Sequence, residues 1–259
     1  TIREFTGKAG APAAPSGGGG FFAQMFGGGG GGFTVKAGLN TFVWSRREEG
    51  PTIPSDVTLW GFAPGREVPP GTYKVRLEAG DWSEEQELVI ALNPKIGQTA
   101  EGAAEQYELL GEIGDMIDDL YDGLGRLRDV KKQSAAAIER VRSAGVDHED
   151  VAAAATAMRD KLTVIEEQIT QVKSKSGQDP INFPPMLDNQ VVNLYMYALG
   201  GFGGGDNRPT DAAYERLEDL RPQVADLLGQ IDAVITADLA AFNDLVASKA
   251  LPAVVVGDT

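Results

Sequence analysis

At 259 residues the chain is long enough for one large or two ordinary domains, and 42% hydrophobic with 24% charged residues is a globular composition with enough apolar material for a packed core. A formal net charge of −15 argues against nucleic acid and against an anionic membrane surface as partners, since both would be repelled. The lack of cysteine excludes disulfide scaffolds, thiol nucleophiles and thiolate metal sites.

No window of 18 apolar residues is present, and no secretory signal pattern opens the chain. It starts at Thr1 directly in a strand-like alternation, the expectation for a processed fragment or the tail of something longer. Residues 1–94 have a period near two between turn signals, which predicts an antiparallel β domain. Ile2 to Thr6, Phe33 to Lys36, Asn40 to Arg46 and Thr58 to Gly61 read as strands. Thr72 to Glu78 and Trp82 to Leu92 read as a final hairpin, with Tyr73, Val75 and Leu77 on one face and Lys74, Arg76 and Glu78 on the other. Six or seven such strands predict an Ig-like sandwich. A Gly- and Phe-rich low-complexity insertion at about residues 8–32 carries Phe21, Phe22, Met25 and Phe26, apolar anchors that are the candidate interface for a protein partner or for self-assembly.

From about residue 95 the period becomes helical and predicts an antiparallel bundle of three to four helices, an α+β chain with separate β and α domains. The first helix spans about 99–144, with a seam of Leu110, Ile113, Ile117, Leu120, Leu124, Leu127, Ile138 and Val141. Gly111, Gly114, Gly123 and Gly125 weaken it and predict a kink near 123, and Gly145 ends it. Asp147 is the expected N-cap of a second helix, with Asp150 in the capping-box position and a seam from Val151 to Val172. A short helix follows with Leu187, Val191, Leu194 and Ala198 inward. A last helix begins at Pro209 and Thr210 and should bend at Pro222.

Between the second and third helices, Ser176 to Gln190 forbids continuous helix with three prolines and a glycine, and reads as a built corner formed by Gly177, Gln178, Asp179, Asn182 and Phe183. At about 1.5 Å per residue the second and third helices together match the first in length, so a chain that continues past the corner gives three layers and one that reverses gives four helices.

Chemistry is sparse. The single histidine, His148, lies at a helix N-terminus with no partner for a triad or a metal site. Asp118 and Asp119 point apart on a helix, and Glu84, Glu85 and Glu87 read as a solvated strand group. No phosphate loop or calcium loop is present, so no metal and no cofactor is assigned. Tyr195, Met196 and Tyr197 read as core positions.

As a set, Gly38 to Trp44, Leu59 to Gly65, Pro70 to Leu77, Leu92 to Lys95 and above all Ser176 to Pro184 resemble the C-terminal region of bacterial sortilin-like, BNR-repeat, glycosyl-hydrolase-like β-propeller proteins. The resemblance spans nearly the whole chain, but the propeller's Asp-box repeats are absent, so no ligand site is carried over. It implies a non-catalytic interaction module, an Ig-like domain followed by a helical one, that mediates assembly in an envelope or secreted bacterial protein. An extracytoplasmic location follows from the resemblance alone. The alternative is a carbohydrate-binding accessory module with Trp44, Trp60 and Trp82 as sugar-stacking residues.

Overall fold

The computed structural model describes residues 1–9, 32–200 and 208–249. The chain is a mixture of helix and strand. Its contacts group into two compact units: residues 1–55, 61–115 and 192–217 in the first, and 56–60, 116–191 and 218–259 in the second.

In the first unit, strand β1 (Thr6–Ala9) pairs in parallel with β2 (Gly32–Val35). Phe42 closes the ring cluster beside them, 4.6 Å from Phe5 and 5.1 Å from Phe33 between centroids. Strand β3 (Gly71–Ala79) pairs antiparallel with β4 (Trp82–Ile90) through a two-residue turn, Gly80-Asp81. Gly80 has φ +60, the first-position geometry of the turn type that matches strand twist.

The described residues thus hold two two-stranded sheets in place of the six or seven strands of the expected sandwich. Two expected strands have other fates for local reasons. Asn40 turns its side chain back onto Lys36 and Gly38, three bonds that compete with extended pairing, and from Asn40 to Arg47 only an isolated bridge forms, Arg47 to Glu67. The Thr58 to Gly61 strand is likewise replaced: both backbone polar groups of Trp60 are taken by the side chain of Asn189, whose amide accepts at 3.1 Å and donates at 2.9 Å. A side chain supplies what a neighbouring strand would have supplied.

Helix α1 (Ala100–Ser143) runs unbroken through Gly111, Gly114, Gly123 and Gly125. Leu110, Ile113, Ile117, Leu120, Leu124, Leu127 and Val141 are buried as the seam requires. No break occurs at Gly123, where the missing side chain leaves room for Leu228. Gly111 likewise leaves room for the guanidinium of Arg66, which lies 3.8 Å from the Tyr107 ring centre and donates to the Tyr107 carbonyl at 3.0 Å. Gly145, at φ +66, ends the helix as expected.

Helix α2 (Glu149–Ile169) buries Val151, Ala155, Met158, Leu162, Ile165 and Ile169. His148, rather than Asp147, occupies its N-cap position; Asp147 accepts the Glu149 N–H at 3.2 Å instead. Helix α3 (Leu187–Ala198) and helix α4 (Asp211–Ala233) follow, the latter continuing as a π-helical segment (Val234–Leu239) and helix α5 (Ala240–Ser248). Helix α4 passes through Pro222, and the departure from α geometry comes twelve residues later, at Val234. Lys161 to Asp238 at 2.7 Å and Lys249 to Asp150 at 2.7 Å set α2 antiparallel to this final stretch.

Within the second unit, positions running backwards along α1 meet the chain running forwards: Lys131 with Thr163, Arg128 with Glu166, Tyr121 with Asp188. The corner therefore carries the chain onward along α1. Asp179 accepts the N–H groups of Lys175 and Ser176, and a single 3-10 turn (Asp179–Ile181) follows. Gln178 and Asn182 are exposed, Gly177 has open space around it, and Phe183 is half-buried.

Candidate interaction surface

The β3–β4 hairpin is the best candidate for a functional surface. Its register places Tyr73, Val75, Leu77 and Ala79 on one face with Leu88, Gln86, Glu84 and Trp82. Residues directly opposite in an antiparallel pair share a face, so this face is largely apolar by construction. At the base it is covered, with Ile90 buried and the Tyr73 hydroxyl donating to the Pro69 carbonyl. Towards the turn it is open: Val75, Leu77 and Trp82 are 51%, 56% and 50% exposed. The opposite face is charged, and Lys74 reaches Glu85 at 3.5 Å across the strands.

With a two-residue turn closed by the Ala79 and Trp82 pair, the alternation of an antiparallel ladder turns the backbone groups of Ser83, Glu85, Glu87 and Val89 away from β3. Among the described residues no further strand pairs with these groups, so β4 presents an edge of N–H and C=O groups beside a run of Glu84, Glu85 and Glu87. A two-stranded hairpin is marginal by itself in water, and an exposed edge with an apolar flank is a template for a further strand.

A second cluster, in the other unit, was not anticipated. Asp188 is 2% exposed in the first turn of α3. Its carboxylate accepts the Asn189 N–H at 2.6 Å, the hydroxyl of Thr170 at the C-terminus of α2, and the Tyr121 hydroxyl of α1 at 3.5 Å. Burial nevertheless dominates and pushes Asp188 up to about 6; the same burial, with the Asp188 charge beside it, pushes Tyr121 up. Three elements meet on one carboxylate, which ties the end of α2 to the start of α3.

Beside it, Glu166 bonds Arg128 and Lys131 at 2.8 Å each, and Arg128 also reaches Asp56 at 2.9 Å. Burial raises Glu166, but the bonds from Lys131 and Arg128 together outweigh it and hold the carboxyl below its usual range. Its stabilisation is therefore present above the unfolded-state value and lost as pH falls. Glu166→Ala should cost about 1–3 kcal/mol at pH 7, because two half-buried cations lose their shared carboxylate, Arg128 keeping Asp56 and Lys131 only the Thr163 hydroxyl. Urea titrations should show variant and wild type converging as the pH drops through the glutamate range; a constant gap would refute the ion-pair account.

Of the residues singled out from sequence, Phe21, Phe22, Met25 and Phe26 lie outside the described residues. Trp82 is on the open hairpin face. Trp60 is half-exposed with its backbone held by Asn189, and Trp44 is partly buried, its indole N–H donating to the Arg47 carbonyl at 2.8 Å. His148 is partly buried at its helix terminus, and Asp119 is exposed on α1. Among the described residues no group of three His, Asp or Glu is placed to hold a metal ion, and no helix is long and apolar enough to cross a membrane. The signal for Asp188 was present but ambiguous: an acidic residue after Pro184-Pro185 reads as an ordinary exposed helix start.

No family model, curated protein or solved structure matches this chain, so the sortilin-like resemblance rests on its motifs alone.

Proposed function

We propose that this chain is a non-catalytic protein-interaction module that binds an extended segment of another protein along β4. The observation that carries this reading is the open apolar face of the hairpin at Val75, Leu77 and Trp82, flanked by the β4 edge. Main-chain bonds along β4 would supply affinity, and the alternating side chains would supply specificity. Charge selects the partner: Glu84, Glu85 and Glu87 favour a strand that alternates apolar and basic residues. A net charge of −15 disfavours a second copy of the same chain. Assembly in a bacterial envelope or secreted protein, and an Ig-like relationship for residues 1–94, belong to the same proposal and rest on the resemblance.

The test is fluorescence anisotropy with a labelled peptide alternating valine and lysine, against a valine–glutamate control. The basic peptide should bind with an affinity that falls with salt. Leu77→Ser with Trp82→Ser, both at exposed positions, should weaken it at least about tenfold. Equal binding of the two peptides, or sedimentation showing a self-associated chain with the hairpin covered, would overturn the reading.

A further inference from the structure

A separate cavity of about 130 Å³ lies wholly within the first unit. Its floor is apolar, built from the buried side chains of Val68, Ile90, Ala103 and Leu110. Its mouth carries Arg46, Arg47 and Glu67. Neighbouring residues of an extended segment point to opposite faces, yet both arginines line this cavity and both reach Glu67, Arg47 at 3.7 Å and Arg46 closer.

The reason is a backbone distortion. Arg46 has φ +62, the one non-glycine residue in the left-handed region among those described. The distortion is held in place from several sides. The Val68 N–H donates to the Arg46 carbonyl at 2.9 Å, the Glu48 N–H to the Arg66 carbonyl at 3.2 Å, and the guanidinium of Arg3 to the carbonyls of Arg47 and Glu48 at 3.2 and 3.3 Å. Strain of this kind persists where surrounding structure over-determines it, as at ligand clamps.

We infer that this cavity binds a small carboxylate with an apolar body, its head group on the Arg46 and Arg47 guanidiniums and its body on the Val68, Ile90, Ala103 and Leu110 floor. Two guanidiniums share one carboxylate at the mouth, which leaves one positive charge in excess in a chain of 38 acidic and 23 basic residues. A planar guanidinium pair is suited to carboxylate recognition. The volume lies below the roughly 300 Å³ at which drug-sized sites begin, so the guest is the size of a side chain.

The probes are 4-methylpentanoate, its uncharged amide, and N-acetyl-leucine as a peptide terminus, titrated into the full chain by calorimetry and by amide chemical shifts. The acid should saturate with Kd on the order of 1 mM, and the amide should bind at least about tenfold more weakly. N-acetyl-leucine binding as well as the free acid would identify the guest as a chain terminus; binding of the free acid alone would identify a small metabolite. Arg46→Gly removes the head-group contact while accepting the positive φ, and Ala103→Leu fills the floor without altering charge; each should weaken binding at least about tenfold. No saturation by either acid, equal binding of the amide, or binding untouched by both variants would overturn the assignment.

Discussion

Gly65→Ala should destabilise the chain by about 3 kcal/mol, the upper end for inserting a methyl group into packed structure. A Cβ at this position would lie 1.7 Å from the Glu48 carbonyl oxygen and 2.5 Å from its carbon. Both are backbone atoms, so no rotamer change relieves the clash. The facing segment is as close: a Cβ added at Gly50 would lie 2.6 Å from the Ala63 carbonyl oxygen and 2.7 Å from the Gly65 nitrogen. Two backbones pass so closely here that neither can carry a side chain. For a domain of this size the loss corresponds to a Tm drop of roughly 6–12 °C. Gly125→Ala is the matched control. No atom lies within 4 Å of its Cβ site, and it is exposed inside α1, so alanine should stabilise by up to about 1 kcal/mol through helix propensity. Equal effects from the two substitutions would contradict the packing seen around residues 48–65.

Asp188→Asn should stabilise the chain at neutral pH. Burial raises the Asp188 carboxyl to about 6 in the folded state, above the unfolded value of about 3.9. Its favourable contribution is thus complete below about pH 4 and is lost as pH rises to about 6. At pH 7 the ionised, buried carboxylate opposes folding by as much as about 2–3 kcal/mol. Asparagine keeps an acceptor for the Asn189 N–H and the Thr170 hydroxyl without the charge. The variant should therefore gain about 1–2 kcal/mol over wild type at pH 7 and little at pH 4, measured by urea unfolding at both. A variant less stable than wild type at pH 7 would mean that Arg128 and the hydroxyl donors stabilise the ionised form more than burial penalises it.

The helical half was legible because its signal repeats. The seam of α1 recurs from Leu110 to Val141, so single glycines did not obscure the pattern. What those glycines do was not legible: Gly111 and Gly123 are explained by Arg66 and Leu228, residues far away in sequence. The β3–β4 hairpin could be read because both its strands and its Gly80-Asp81 turn are local. The Asn40 to Arg46 and Thr58 to Gly61 segments have strand composition, but a strand requires a partner. The first meets its own Asn40 amide and the second meets Asn189. Between α2 and α3 the chain departs from α-helix over residues 170–186, whereas the proline pattern pointed to Ser176 to Gln190; the buried polar residues are Asp188 and Asn189 at the start of α3, and Gln178 and Asn182 are exposed. A proline-flanked acid looks the same in sequence whether or not Thr170 and Tyr121 close over it.

The reading of the hairpin as a docking edge is tested most directly by amide hydrogen exchange along β4, with and without the valine–lysine peptide. In the free chain the N–H groups of Glu84, Gln86 and Leu88, which face β3, should be protected, and those of Ser83, Glu85, Glu87 and Val89 should exchange rapidly. Strand addition predicts that the peptide slows the second set selectively. Unchanged exchange at those four amides at saturating peptide, or protection confined to residues outside the hairpin, would contradict it.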